Sequence, residues 1–296
     1  MERYEIRSAE GGTNGLALII NIKDFNGEPS MTRYGSERDV ENLQEMLTHL
    51  NFKVDFEENL NKTNFLKKIL DFVDELENNA VDVCFVCIMS HGADDGKIVT
   101  ADSKMINVEA DILDRFKNKH CKTMIGKPKV FLFLACRGEE SDAGVMLTPT
   151  GSRSAVTDSS SASKMVTEQL NDSFVAFSTT PHHVSYRSTA GSPFITITCQ
   201  VLRDEADKMH LQDMFTKIKM QMDAKDIYID EEEVDGSTIT CKRKVIMETN
   251  SRLGKHLYLL PERTVEVASA IEDRSEPDGG RHKKQKRRRK SECLLL

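Results

Sequence analysis

Two residue types that together support nucleophilic catalysis end separate apolar segments of this sequence. Cys136 directly follows FLFLA (131–135), and His91 follows VDVCFVCIMS (81–90) in the same way, 45 residues earlier in the chain. A thiol is only partly ionised near neutral pH, whereas an adjacent imidazole raises the thiolate fraction and later protonates a leaving amine. The pair therefore indicates a cysteine nucleophile with a histidine general acid/base.

Each member of the pair also has an ordinary interpretation when it is considered alone. A lone cysteine is most often a small buried hydrophobic residue, and a lone histidine is often a surface loop residue. Both, however, stand at the end of an apolar run, and Gly92 follows His91 directly. Because glycine lets a carbonyl group approach the backbone closely, the N–H groups of Gly92 and Cys136 are candidate oxyanion donors.

The elements that must position these residues form a repeated strand and helix pattern. LALIIN (16–21), VDVCFVCIM (81–89) and KVFLFLA (129–135) are short apolar runs typical of buried strands. SERDVENLQEMLTHL (36–50) is a predicted helix, with Ser36 as its N-cap and an apolar face from Val40 to Leu50. The pattern predicts an α/β fold, a mostly parallel β-sheet flanked by helices on both faces. Ligands of such sheets gather at the carboxyl ends of the strands.

Composition indicates a soluble protein that works in a reducing compartment. The 296 residues are 39% hydrophobic, enough for one fairly large domain or two small ones. No stretch resembles a signal peptide or reaches the roughly 18 apolar residues of a membrane helix, so we expect a cytoplasmic protein. The seven cysteines are odd in number, which favours free thiols. Cys84 and Cys87 spell C-x-x-C, but within a strand they point to opposite faces, so neither a metal nor a cofactor is predicted.

Several segments, taken together, resemble the caspase family of cysteine proteases, over roughly Leu16 to Pro261. The matching segments, in family order, are MTRYGSERDVENL (31–43), MSHG (89–92), LACRG (134–138), FSTTP (177–181), VSYRSTAGSPFI (184–195) and LGKHLYLLPE (253–262). The resemblance implies a caspase-like fold with Cys136 as nucleophile, His91 as general acid/base, and Gly92 with the Cys136 amide as the oxyanion hole. It also implies a homodimer of large and small subunit pairs, with the last segment near the dimer interface.

Two arginines carry the expected specificity. Arg33 in MTRYGS and Arg187 in SYRST match the pair with which caspases bind the side chain before the scissile bond, and Ser185 and Tyr186 belong to the same substrate-binding loop. Guanidinium groups bind carboxylates through two parallel hydrogen bonds. We therefore expect protein substrates with an exposed aspartate, cleaved after that residue.

Two positions depart from the family pattern. Leu134 stands where caspases have a glutamine before Ala-Cys, and Pro193 stands where they usually have a tryptophan. A hydrogen bond to a charged partner contributes about 1.5–3 kcal/mol, so the leucine predicts a roughly ten- to hundred-fold lower catalytic efficiency. The alternative function is therefore a catalytically weak or inactive caspase homologue that regulates other caspases.

The resemblance also divides the chain and predicts its activation. The expected parts are a short N-terminal prosegment (1–15), a large-subunit region (16–142), an intersubunit linker (143–171), a small-subunit region (172–261) and a tail (262–296). The linker is rich in Ser, Thr, Gly and Asp, as exposed loops are. We expect a zymogen in apoptosis-type signalling that is activated by cleavage after Asp158, with Asp142 as a weaker site; a linker that is never cut is the alternative.

The tail combines two membrane-binding signals. RHKKQKRRRK (281–290) carries eight basic residues, so the rest of the chain has a net charge of −15, the total of −7 less these eight. The final CLLL resembles the C-a-a-X box of Ras-like small GTPases, with Cys293 as the expected geranylgeranylation site. A lipid with a basic cluster binds an anionic membrane surface stably. This favours a peripheral membrane protein on the cytosolic face over a nuclear-localisation signal, a nucleic-acid-binding segment or an inert tail; no nucleic acid partner is expected.

Two further aspartates precede small residues in acidic contexts. Cleavage after Asp278 in SEPDGG would release the protease from the membrane, and cleavage after Asp235 in EEEVDGS would inactivate it. The ordinary interpretation is that both merely increase solubility.

Overall fold

A computed structural model describes residues 2–6, 13–79, 81–93, 96–137, 170–180, 189–232 and 238–260. The predicted site residues that lie outside these ranges are Asp142, Asp158, Ser185, Tyr186, Arg187, Asp235, Asp278 and Cys293.

The described chain contains the following helices and strands. The strands are β1 (Gly15–Asn21), β2 (Phe52–Glu58), β3 (Val83–Met89), β4 (Gly92–Ala93), β5 (Lys97–Val99), β6 (Met105–Asn107), β7 (Lys129–Leu134), β8 (Ser173–Phe177), β9 (Ile227–Glu232), β10 (Thr238–Arg243) and β11 (Glu248–Ser251). The α-helices are α1 (Ser36–His49), α2 (Lys62–Asn78), α3 (Pro193–Glu205) and α4 (Leu211–Ala224). Short helical turns cover Pro29–Met31, Val108–Ile112, Leu113–Phe116 and Lys122–Met124.

The main sheet is parallel except at one edge. Among the described residues its six strands follow the order β2-β1-β3-β7-β8-β11, and only β11 runs antiparallel to its neighbour β8. Every residue of β1, β3 and β7 is buried. Strands covered on both faces need apolar side chains at every position, which explains their continuous apolar runs. The predicted α/β fold is confirmed.

Helices cover both faces of this sheet and create two apolar cores. Alternate strand residues such as Ala17 and Cys87 pack with α1, α3 and α4, whereas Leu16 and Cys84 pack with α2 and the short helical turns. The two cysteines of the C-x-x-C spacing therefore lie on opposite faces, as predicted. None of the helices within the described residues is long and apolar enough to cross a bilayer.

The start of α1 differs from the prediction by one residue. The N-cap is Gly35, whose φ of 85° lies in the left-handed region that glycine tolerates best, and Ser36 is the first helical residue. The prediction of Ser36 as N-cap was therefore wrong. Its hydroxyl instead accepts a hydrogen bond from Asn21 Nδ2 at 3.1 Å. The predicted apolar face from Val40 to Leu50 is buried.

Residues 2–6, within the predicted prosegment, contact the end of the small-subunit region. The Tyr4 amide donates to the His256 carbonyl at 3.0 Å, and the His256 amide donates to the Glu2 carbonyl at 2.8 Å. The Tyr4 side chain is only 8% exposed, and its hydroxyl donates to Asp172 Oδ1 at 2.6 Å and accepts from the Gly254 amide at 2.9 Å. Because Asp172 immediately precedes β8, Tyr4 joins the N-terminal segment to the first residues after the predicted linker.

Replacing Tyr4 by phenylalanine should therefore destabilise the protein. The substitution removes the donor to a carboxylate and the acceptor for an amide, so we expect a loss of about 1–3 kcal/mol in the free energy of unfolding. Urea titration measures it, with Tyr34→Phe as control because Tyr34 is 65% exposed. Equal unfolding free energies for the wild type and Tyr4→Phe would contradict the prediction.

Candidate active site

The ends of β3 and β7 bring the predicted nucleophile and base segments together. Met89 lies opposite Leu134 in the parallel register, and the Ser90 amide donates to the Leu134 carbonyl at 3.1 Å. A Cβ atom at Gly92 would lie 1.8 Å from the Cys136 carbonyl oxygen, so only glycine permits this approach. Cys136 is partly exposed, in contrast to the strand that precedes it.

The chain next to the histidine is fixed by the small sheet of β4, β5 and β6. The Ser90 hydroxyl donates to the Val99 carbonyl at 2.5 Å, and the Val99 amide donates to the His91 carbonyl at 2.9 Å. Gly92 pairs with Ile98 in the adjacent antiparallel register. Both neighbours of His91 are therefore tied to β5, which fixes the direction in which its side chain leaves the backbone.

The imidazole ring of His91 is oriented by main-chain and aromatic contacts. Its Nε2 lies 2.8 Å from the Met31 carbonyl oxygen, and its ring centroid lies 5.0 Å from that of Phe25. Since a carbonyl oxygen only accepts hydrogen bonds, Nε2 carries the proton, and Nδ1 is the basic nitrogen of the neutral ring. The sequence pattern did not reveal Met31, because its role depends on a main-chain atom rather than on its side chain.

Arg33 is buried at the carboxyl end of β1. Its side chain is 1% exposed, and Nη1 donates to Asn21 Oδ1 and to the Ile22 carbonyl, both at 2.9 Å. Asn21, itself fully buried, donates through Nδ2 to Ser36 Oγ at 3.1 Å and to Glu58 Oε1 at 3.0 Å. Asn21 thus holds the guanidinium of Arg33. The sequence does contain a signal for this role, because Asn21 is the one polar residue at the end of the apolar run 16–21.

Leu134 lies in the apolar core on the same sheet face as Asn21. Leu134 is 3% exposed, and it packs in the buried apolar cluster to which α1, α3 and α4 contribute. Two strand spacings separate it from β1, or about 10 Å. Pro193, the other departure from the family pattern, is the first residue of α3, a position at which proline is favoured because its missing N–H has no helical partner.

Arg137 connects the chain after Cys136 to the edge strand. Its guanidinium carbon lies 4.3 Å from the centroid of the Phe177 ring, and Nη1 bonds the Glu248 carboxylate on β11. Both contacts hold the side chain of Arg137, the residue that follows Cys136. The sequence placed Arg137 in the signature but did not reveal these partners, which are 40 and 111 residues away.

Not every predicted site residue can be located. Ser185, Tyr186 and Arg187 lie outside the described ranges, so the separation of the two predicted specificity arginines is not defined. Within those ranges, no group of three or more His, Cys, Asp or Glu side chains is arranged to hold a metal ion.

The four other cysteines whose side chains the structure describes differ from Cys136 in burial. Burial raises the pKa of Cys84 and of Cys199 to about 12, that of Cys121 to about 11, and that of Cys87 well above its ordinary value. A thiol with such a pKa is almost entirely protonated at neutral pH, and the thiolate is the reactive form.

Brief treatment with iodoacetamide at about pH 7 should therefore modify Cys136 before the four buried thiols. Raising the pH to about 9 should leave this order unchanged, because the buried pKa values still lie well above the solution pH. Peptide mass spectrometry measures the modification, and denaturant-unfolded protein, in which all the cysteines react, is the control. Modification of Cys84 or Cys199 ahead of Cys136 in the folded protein would contradict the prediction.

Comparisons with known proteins agree with this geometry. The caspase-domain family model matches residues 14–258. Caspase-12 of Macaca mulatta is 32% identical over 242 residues, which cover 76% of this chain and 56% of the relative. Caspase-4 of Mus musculus is 32% identical over 250 residues, with 81% and 66% covered. The chain thus spans little more than half the length of the caspase-12 relative.

A solved structure shows the same fold. The crystal structure of caspase-1 from Spodoptera frugiperda superposes with a TM-score of 0.72 at 24% identity, over 89% of this chain and 95% of that one. Together with the family match, which covers most of the chain, the paired strand ends at Cys136 and His91 lead to one assignment. The chain belongs to the caspase family of cysteine proteases.

Proposed function

We propose that this protein is a cysteine endopeptidase that cleaves protein substrates after aspartate in apoptosis-type proteolytic signalling. The observation that carries the proposal is the close approach of Gly92, the residue after His91, to the Cys136 main chain at the edge where β3 and β7 end. Arg33, buried against the carboxyl end of β1, supplies the positive charge for an aspartate side chain.

The chemistry follows from the types of the three residues. The Cys136 thiolate attacks the carbonyl carbon, a C–S bond forms, and the amides of Gly92 and Cys136 donate hydrogen bonds to the oxyanion. Protonated His91 then gives its Nδ1 proton to the leaving amine as the C–N bond breaks. Water attacks the thioester with His91 as base, the C–S bond breaks, and the acid product leaves with the thiolate restored.

Specificity for aspartate is supported by the burial of Arg33. A guanidinium removed from water favours an anionic partner, and its planar donors match a carboxylate. Asn21 and the Ile22 carbonyl fix Nη1, so the plane of the group is set before substrate arrives. Arg187 is proposed as the second ligand of the same carboxylate, with Ser185 and Tyr186 next to it in the substrate-binding loop.

Peptides that differ only in the residue before the scissile bond test this function. Purified protein, intact or cut after Asp158, is assayed with otherwise identical fluorogenic peptides carrying Asp, Glu, Asn or Ala. We expect kcat/KM for Asp to exceed that for Asn by at least about 100-fold, because Asn offers no charge to a buried guanidinium. Turnover that is indifferent to this residue would refute the proposed specificity.

Activation is proposed to follow cleavage of the intersubunit linker after Asp158, with Asp142 as the secondary site, in a homodimer of large and small subunit pairs. The Ser, Thr and Gly content of the linker supports this, since such segments are readily cleaved. Asp158→Ala protein should remain uncut at position 158 and should be weakly active, with Asp142→Ala as the comparison. Normal processing and turnover of Asp158→Ala would exclude that site.

Membrane attachment is proposed for the tail, through a geranylgeranyl group on Cys293 and the basic residues 281–290. A single lipid binds marginally, and eight basic residues add the second signal. In cells, Cys293→Ser should move the protein from the membrane to the soluble fraction, whereas Ser291→Ala should not. Release by cleavage after Asp278 is part of this proposal, and intact Asp278–Gly279 in soluble active protein would exclude it.

A non-catalytic regulator of other caspases is the second candidate, and Leu134 is the observation that favours it. An apolar side chain stands where the family has a hydrogen-bonding glutamine, and it is only 3% exposed. If this residue limits catalysis, Leu134→Gln should raise kcat/KM for aspartate peptides about ten-fold or more. Undetectable turnover in both proteins, even after linker cleavage, would favour the regulator.

A further inference from the structure

The segment that leads into β7 carries positive charge on an otherwise acidic chain. Residues 115–129 contain six Lys or Arg residues and no Asp or Glu, whereas the whole chain has a net charge of −7. Lys122 is exposed, and 49% of the Lys119 side chain is accessible. A locally positive surface of this kind attracts an anionic partner.

An aliphatic side chain is exposed within this positive segment. Ile125 is 54% exposed, and its amide donates to the Lys122 carbonyl at 3.2 Å, so the two residues belong to one turn of the chain. Gly126 follows with a φ of +74°, which glycine tolerates best. Residues 119–126 thus form an exposed turn, the Ile125 turn, in which an isoleucine lies next to basic side chains.

The base of the Ile125 turn is fixed in the protein interior. Cys121 and Met124 are fully buried in the core on the α2 side of the sheet. The Thr123 amide donates to Glu77 Oε1 at 3.0 Å, and the Thr123 hydroxyl donates to the Leu76 carbonyl at 2.9 Å, both in the last turn of α2. The buried residues therefore hold the turn from below, and Ile125 stays in solvent.

A buried lysine reinforces the same base. Lys129, the first residue of β7, is fully buried, and its Nζ donates to the Met124 carbonyl at 2.9 Å and to the Lys127 carbonyl at 3.0 Å. Lys127 Nζ in turn donates to the Val81 carbonyl at 2.6 Å, just before β3. Because these bonds lie on both sides of Ile125 in the sequence, the exposed turn is preorganised.

The nearest acidic residue of the segment does not cancel its charge. Asp114 Oδ1 lies 2.7 Å from Lys117 Nζ and 3.7 Å from Lys119 Nζ, and its Oδ2 lies 3.4 Å from His120 Nε2. The six basic residues of 111–129 still outnumber its two acidic ones. Since exposed ion pairs contribute little, Lys119 can exchange this carboxylate for another anion.

The Ile125 turn lies at the opposite end of the sheet from the candidate active site. It precedes Lys129, where β7 begins, whereas Cys136 follows the end of that strand. Seven residue steps of extended chain separate the two, or about 20 Å. A partner bound at the turn would therefore leave the active site facing away from it.

We propose that the Ile125 turn is a docking surface for an anionic phospholipid membrane, with Ile125 among the headgroups and Lys119 and Lys122 beside the phosphates. The inference deepens the proposed membrane attachment of the tail and rests on it. An aliphatic residue surrounded by lysines matches the layers of a membrane interface, where apolar groups lie beneath charged ones. An acidic peptide would bind the lysines but offers no apolar layer for Ile125. Docked in this way, the protein presents Cys136 to substrates in solution.

Tryptophan fluorescence of Ile125→Trp tests the proposal, because the chain contains no tryptophan of its own. The full-length, unprenylated protein is mixed with vesicles of equal parts phosphatidylcholine and phosphatidylserine. We expect the emission to shift to shorter wavelength and to be quenched by brominated acyl chains. Met220→Trp is the control, since Met220 is 68% exposed on α4, and it should show neither change.

A second set of variants avoids the affinity that tryptophan itself has for membranes. Ile125→Asn combined with Lys119→Gln and Lys122→Gln should weaken binding to these vesicles about ten-fold or more, measured by sedimentation. The matched control makes the same changes at other exposed positions. It combines Met220→Asn with Lys104→Gln and Lys208→Gln, whose side chains are 65% and 62% exposed, and should bind like the wild type.

The outcomes separate this inference from the proposed tail anchor. If Ile125→Trp protein sediments with the vesicles but its emission neither shifts nor is quenched, the tail binds without this surface and the inference is overturned. Failure to sediment even at low ionic strength would count against both the turn and the basic tail. An equal emission shift with polyglutamate in place of vesicles would also overturn the inference, since the turn would then recognise acidic protein rather than lipid.

Discussion

Replacing Cys136 by alanine is expected to reduce kcat for cleavage of an aspartate peptide by at least about 10⁴-fold. Alanine has no atom that forms the thioester, so the reaction loses its covalent route and retains only binding and the oxyanion donors. The change should hardly affect folding, because Cys136 is partly exposed and lies beyond the end of β7. Steady-state turnover and urea unfolding measure the two effects separately.

Cys84→Ala is the matched control for this experiment. It makes the same chemical change at a fully buried thiol of β3, on the sheet face that packs against α2. The cavity should lower the free energy of unfolding by about 1–2 kcal/mol while turnover per folded molecule is retained. Substantial turnover by Cys136→Ala would show that another group, or another protein in the preparation, performs the cleavage.

Replacing Arg33 by methionine is expected to lower kcat/KM for aspartate peptides about 100- to 1000-fold and to abolish the preference for Asp over Asn. The guanidinium supplies a positive charge and planar donors in a site removed from water, and a carboxylate left there without its partner is costly. The change also leaves Asn21 Oδ1 and the Ile22 carbonyl without the donor that Nη1 provides, so stability should fall by about 1–3 kcal/mol.

Two further variants distinguish loss of binding from loss of stability. Arg33→Lys keeps the charge but not the planar fork, so most of the aspartate preference should still be lost. Arg38→Met removes an exposed arginine that is paired with Glu41 on the same helix, and should change neither stability nor specificity by much. If Arg33→Met keeps a strong preference for aspartate, the specificity must have another source.

The sequence alone was sufficient for the sheet and for placing Cys136 and His91 after the ends of neighbouring strands. Continuous apolar runs such as 129–135 predict strands that are buried on both faces, and parallel neighbours end at the same edge. A polar residue that directly follows such a run must therefore stand at that edge. The local sequence carries this information, because a strand that is buried on both faces needs an apolar residue at every position.

Tertiary structure alone decided how those residues are held. Asn21 beneath Arg33, the Met31 carbonyl at His91, and Glu77 at Thr123 all join segments that are far apart in sequence or that bond through the main chain. Such contacts leave no periodic signal, because a single polar residue looks the same in the sequence whether it is solvated or buried. For the same reason the sequence did not predict the hydrogen bond between Tyr4 and Asp172. The predicted N-cap at Ser36 was wrong by one residue because Gly35 adopts a positive φ and takes the cap position.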